Sequence, residues 1–200
     1  MPGTKLGEDR LASIFGISRA KVREVLARLS HEQVVELIPQ RGAFVSKPSV
    51  EQAYDVFEAR RMIEPGLIER LGRTLTPAKL ERLQQHLDRE AAAREKQDTR
   101  AIVRLSGEFH VLLAELAGNT ALIKVTRELS TLTCLIISLY DAPTTSSCRV
   151  DEHVDIVAAI KAGQIAQAKS MMLHHLDHIQ QSLNLDQVER EADLESIFAD

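Results

Sequence analysis

Three histidines, each on a separate stretch of helical spacing, are the residues best suited to chemistry. His110 shares a helical column with Val103, Leu113 and Ala117. His153 falls in a column with Val150, Val157 and Ile160. His175 lies within the apolar face made by Ile165, Ala168, Met172, Leu176, Ile179 and Leu183. A lone inward imidazole is most often a hydrogen-bonded core residue. Three that converge inside a helical bundle suit Zn, Ni or a similar divalent ion. Spacing alone leaves both readings open. Arg60 joins the set, because Ala53, Val56, Ile63 and Leu67 share its column and turn it inward. A buried guanidinium needs a partner: either Glu64, one turn on, or the carboxylate of a ligand. His31 and His86 read as surface residues. His174 and His178 form an i, i+4 pair on the polar side, expected to be solvated.

A second chemistry sits near the start of the chain. Ser18 stands at an N-cap position after a Gly16-Ile17 turn. Val22, Val25, Leu26 and Leu29 then mark one apolar face, and Arg19, Lys21, Arg23 and Arg28 occupy the rest. Four cations on one short helix suit phosphates and base edges in a major groove. The preceding residues 8–15 read as a one-sided helix with Leu11, Ile14 and Phe15 inward. Helix, tight turn and basic helix is helix-turn-helix punctuation. Two β-like runs follow, 34–38 and 43–46, around Pro39-Gln40-Arg41-Gly42. Gly42 tolerates positive φ, so the pair is expected to form a hairpin with Arg41 at its tip.

The string GISRAKVREVLARL…VELIPQRGAFV resembles the winged helix-turn-helix of GntR-family transcriptional regulators. The resemblance implies DNA contacts from Ser18, Arg19, Lys21, Arg23, Arg41 and Gly42. Lys21 stands where many members have Pro, and Asp9 where many have a cation. An anion there opposes phosphate binding. The family's head usually opens with a helix packed on the next two. This chain starts at Met1-Pro2-Gly3, so the resemblance implies a head without that helix. Leu11, Leu26 and Leu29 are then expected to lose cover, leaving a head that is loose and weak on DNA or a start site wrongly chosen.

Lys47-Pro48-Ser49 reads as a linker, with Pro48 ending the strand and Ser49 capping a helix. Helices are expected over 50–72, 76–96 with Pro77 at its first position, 98–118 with a Gly118-Asn119 stop, 120–140, 149–162 and 164–185. The 120–140 helix is apolar on most sides and is expected to be central. The fold class is therefore mainly α: a winged helix-turn-helix without its first helix, then an all-helical bundle of six or more helices. The segments VFEARRMIEP, FHVLLAELAGN, EHVDIVAAIKAG and AQAKSMMLHHL resemble, in order, the FCD-type ligand-binding domain of the FadR subfamily. That resemblance implies a metal held by His110, His153 and His175 plus an acid one turn before His110. The acid position holds Ser106. Three neutral ligands would leave a cation's charge uncompensated. The resemblance further implies Arg60 as a clamp for a small organic acid.

Composition bounds the rest. Residues 1–48 carry net +3 and the remainder net −7, a basic head on an acidic body. The modest +3 implies that a homodimer supplies a second half-site on double-stranded operator DNA. No apolar run is long enough to span a bilayer and no secretory signal is legible, so a cytoplasmic location is expected. Cys134 and Cys148 make no disulfide framework. The expected division is 1–48 for DNA binding, 49–185 for effector binding and dimerisation, and 186–200 as an acidic tail. The two resemblances together imply a metabolite-responsive regulator, a repressor, without enzymatic chemistry. No inward histidine has a general base beside it in sequence, which argues against a metal-dependent enzyme. Ser106 keeps a ligand-independent DNA-binding dimer as an alternative.

Overall fold

The structure, a computed structural model, describes residues 2–140 and 152–185. The Pro143–Cys148 loop, the start of the 149–162 helix and the 186–200 tail lie outside the described residues.

The head holds two helices and a three-stranded antiparallel sheet. Helix α1 (Glu8–Phe15) ends at Gly16, whose φ of 63° closes the turn into α2 (Arg19–His31). Ser18 caps α2 by accepting from the Lys21 amide. Strands β2 (Val35–Ile38) and β3 (Gly42–Val45) form the wing, with Gln40 at φ 64° and Gly42 at φ 98°. An unanticipated strand, β1 (Lys5–Leu6), pairs with the free edge of β3 and completes the order β1-β3-β2. The core is small: Val22, Leu26, Val35 and Ala43 are buried, with Leu6, Leu11, Ala12 and Leu29 packed against them. Ile14 is 62% exposed, Phe15 68% and Val25 42%, so these three do not face inward as the helical pattern predicts. None of the three joins the small head core that the described residues form. Leu26, in contrast, is buried, while Leu11 and Leu29 are only partly covered.

The body is a bundle of α3 (Val50–Arg73), α4 (Pro77–Glu95), α5 (Thr99–Ala117), α6 (Thr120–Tyr140), α7 (Glu152–Lys161) and α8 (Ile165–Ser182). The expected caps form. Ser49 and Gln52 make a reciprocal capping box, Thr76 caps α4 ahead of Pro77, and Gly118 stops α5 at φ 75°. Helices α3 and α5 hold the middle: α3 packs on α5, α6 and α8, and α5 on α3, α4 and α6. Helix α6 is thus not central. It lies against α3 and α5, with its apolar excess spread over a half-covered surface. The largest core cluster joins Leu67, Ile68, Leu71, Leu83, Phe109, Leu113, Ile156, Ile160, Met172 and Leu176 from five helices. The Tyr140 hydroxyl donates to the Pro48 carbonyl and ties the linker to the end of α6.

Candidate metal centre and DNA-binding surface

Helices α5, α7 and α8 bring His110, His153 and His175 together, all buried, with ligand atoms within 4.8 Å of one another. The Nε2 atoms of His153 and His175 are 3.1 Å apart. The opposite nitrogen of each ring meets a carboxylate. His110 Nδ1 is 2.7 Å from Glu64 Oε2, His153 Nδ1 is 2.9 Å from Glu90 Oε1, and His175 Nδ1 is 2.6 Å from Glu152 Oε2. A carboxylate can only accept, so each Nδ1 carries the proton and each Nε2 presents a lone pair. Carboxylate, imidazole and converging lone pairs form the arrangement that orients metal-binding histidines. His110 Nε2 is buried and has no hydrogen-bond partner among the described residues. An orphaned acceptor facing two others is a site that fits a cation.

The electrostatics agree. Burial, only partly offset by Glu64, lowers the His110 pKa to about 3. Burial likewise lowers His175 to about 4, against the opposing pull of Glu152. Both rings are neutral near pH 7. Burial pushes Glu64 upward, but Arg60 and His110 outweigh it and hold it well below the usual carboxylate range. Burial works the same way on Glu90, where hydrogen bonds from His153 and His86 prevail. Glu152 is held at about 2 chiefly by its hydrogen bond from His175. Ser106 sits one turn before His110 and is 8% exposed, so the position that usually carries an acid is at the buried face. Negative charge nonetheless reaches the cluster from behind, through the three glutamates, which the local spacing does not reveal.

Arg60 is buried, as expected, and its Nε donates to Glu64 Oε1 at 2.6 Å. Its Nη1 donates to Thr133 Oγ1 at 3.1 Å. Its Nη2 is buried without a partner among the described residues. Glu64 therefore joins Arg60 to His110, and one guanidinium donor stays open.

His86 is not a surface residue: it is 1% exposed. Arg89 Nη2 lies 2.7 Å from its Nδ1, and a guanidinium only donates, so Nδ1 accepts. The Nε2 proton then faces the Leu105 carbonyl at 3.0 Å and Glu90 Oε1 at 3.3 Å. Glu90 thus braces two imidazoles. His174 is exposed, whereas the His178 Nδ1–H donates to Glu152 Oε1 at 2.8 Å instead of standing free.

On the head, the cations of α2 are already engaged. Arg19 pairs with Asp9 at 3.0 Å, Arg23 with Glu8 at 2.7 Å, and Lys21 with Glu24 at 2.9 Å. Arg41 lies 5.5 Å over the Phe44 ring at the wing. The Arg19, Lys21 and Arg23 side chains are more than half exposed, and exposed ion pairs are cheap to exchange for phosphates.

Residues 1–45 match the bacterial regulatory proteins of the gntR family, and residues 55–178 match the FCD domain. This chain belongs to the GntR family of transcriptional regulators, with an FCD domain as its body. The HTH-type transcriptional repressor RspR of Escherichia coli (strain K12) is 26% identical over 183 residues, 91% of this chain and 80% of its own. The HTH-type transcriptional regulator LutR of Bacillus subtilis (strain 168) is 29% identical over 205 residues, 92% of this chain and 93% of its own. The crystal structure of a GntR regulator from Rhodococcus sp. RHA1 superposes with a TM-score of 0.77 at 22% identity, over 90% of this chain and 86% of that one. That likeness shows the fold. Members of this family are DNA-binding regulators, so the metal-dependent-enzyme reading falls. Among the described residues no helix is long and apolar enough to cross a membrane.

Proposed function

We propose that this regulator binds a palindromic operator as a homodimer. Its DNA affinity responds to a small carboxylate held between Arg60 and a divalent metal, Zn or Ni, at His110, His153 and His175. The observation that carries this reading is the pair of orphaned buried atoms, Arg60 Nη2 and His110 Nε2, tied together through Glu64. One is a charged donor and the other a lone pair. A carboxylate satisfies the first and a cation the second. A bound metal supplies positive charge and open coordination positions at the cluster. The chain's own groups orient the three imidazoles, keep them neutral and offer the guanidinium.

Residues 1–48 carry the operator contacts, from Ser18, Arg19, Lys21, Arg23, Arg41 and Gly42. Residues 49–185 carry effector binding and dimerisation, and 186–200 form an acidic tail. The likeness to the repressor RspR, over 91% of this chain, supports repression as the mode. Effector binding shifts the population between two arrangements of the paired heads that differ in operator affinity.

The test is an operator mobility shift titrated with di- and hydroxycarboxylates in the presence of Zn²⁺. Wild type should lose or gain operator affinity with one class of acid, and Arg60→Gln should abolish that response while still binding operator. A response unchanged in Arg60→Gln overturns the clamp. Operator binding indifferent to every acid and to metal favours the ligand-independent dimer.

A further inference from the structure

Helices α4, α5 and α6 enclose a cleft of about 870 Å³ that holds none of the three cluster histidines, although His86, which reaches the cluster through Glu90, is in its wall. Arg82, Arg89, Arg100, Arg104 and Arg127 stand around it, opposed among the described residues by Glu108 and Glu115. A net charge of +3 is unusual on a body that carries net −7. Each glutamate serves two arginines. Glu115 takes Arg82 at 3.3 Å and Arg127 at 3.2 Å, and Glu108 takes Arg104 at 2.5 Å and Arg89 at 3.7 Å. Arg100 has no ion pair among the described residues.

The floor is apolar, built by Val103, Val111, Leu112 and Ile137 around Gly107 and Cys134. A Cβ at Gly107 would lie 2.8 Å from Cys134 Sγ, so glycine is what lets α5 and α6 close the floor. Ser130 lines the same cleft, is 2% exposed, and its hydroxyl has no partner among the described residues. Neighbouring Thr131 and Thr133 satisfy theirs on the preceding turn, at the Arg127 and Leu129 carbonyls. A buried hydroxyl left open beside a guanidinium-rimmed apolar floor calls for a polar ligand atom. The lining runs from Thr99 to Glu115 along α5, roughly 24 Å at the helical rise.

We propose that this cleft is a second ligand site, for an elongated amphipathic anion with an apolar chain and a carboxylate or phosphate head. The chain lies on the Val103–Val111–Ile137 floor and the head takes the arginines at the rim. The volume is that of a small-molecule site.

Calorimetry on the full chain with decanoate and decyl phosphate tests this, and the two probes separate the head groups. At least one should bind saturably, and decyltrimethylammonium should not. Arg100→Gln with Arg104→Gln should weaken binding about tenfold, the scale of lost charge-assisted hydrogen bonds. Both side chains are outside the core, so the fold should be kept, checked by circular dichroism. Val111→Asp should abolish binding. Arg60→Gln should leave it unchanged, which separates this site from the carboxylate clamp. No binding of either probe overturns the proposal. So does binding lost in Arg60→Gln but kept in the arginine double variant, which would place the probe at the histidine cluster. Sedimentation that shows the arginine double variant breaking a dimer, with no probe bound to wild type, would make the cleft a subunit contact and also overturn it.

Discussion

His153 and His175 turn their Nε2 atoms toward each other at 3.1 Å while Glu90 and Glu152 hold their Nδ1 protons. Two lone pairs at that distance repel, and a cation between them relieves the conflict. Wild type should therefore bind Zn²⁺ and melt at higher temperature with it. His153→Ala should lose about tenfold or more in affinity, and zinc calorimetry measures it.

Ser106 offers the cluster a hydroxyl where an acid would add charge. Ser106→Asp should tighten Zn²⁺ binding in the absence of any organic acid. Its measured affinity should also depend less on added carboxylate. If wild type and Ser106→Asp both fail to bind metal in equilibrium dialysis, the histidines are core or effector-binding residues.

Glu90 accepts from His153 and faces His86, so it sets the tautomer and direction of a candidate ligand. Glu90→Gln should cost about 10- to 100-fold in metal affinity, as loss of such bracing does elsewhere. His86→Gln should cost less, because it touches the cluster only through Glu90. Metal titrations of both variants, with thermal melts to confirm folding, give the order.

Asp9 and Glu8 hold Arg19 and Arg23 on the head. Asp9→Asn and Glu8→Gln should release them and strengthen operator binding, with a steeper salt dependence. Arg23→Ala should cost about 1–3 kcal/mol of discrimination if it reads a base edge. Fluorescence anisotropy on specific and scrambled duplexes at several salt concentrations measures both.

Acid should destabilise the metal-free bundle. The folded state holds His110 at about 3 and His175 at about 4, below the ordinary value of 6.5. Above pH 6.5 both states are neutral and stability is full. As pH falls below 6.5 the unfolded chain takes up protons that the folded one refuses, so stability declines toward pH 4 and 3. Glu152, at about 2, adds a contribution that is present above its ordinary 4.5 and fades below it. Urea melts between pH 8 and 4 should show the midpoint falling from pH 6.5 downward, with a shallower slope in His175→Gln.

Much of this protein is local and therefore legible in sequence. Caps at Ser18, Ser49, Thr76 and Gly118 and the bounds of α3 to α6 follow from neighbours within one turn. So do the inward columns of His110, His153, His175 and Arg60, because 3.6-residue periodicity fixes which face a side chain takes. The partners did not follow. Glu64 meets His110 across 46 residues, Glu90 meets His153 across 63, and Glu152 meets His175 across 23. Nothing in spacing tells an acid on one helix that it faces an imidazole on another, and His86 and Glu90 look like ordinary solvated residues until α5 and α7 cover them. Ile14 and Phe15 fail the other way: they carry an inward pattern, yet among the described residues they stay exposed. Periodicity assigns a face to each residue, and only the packing of the elements decides what that face meets.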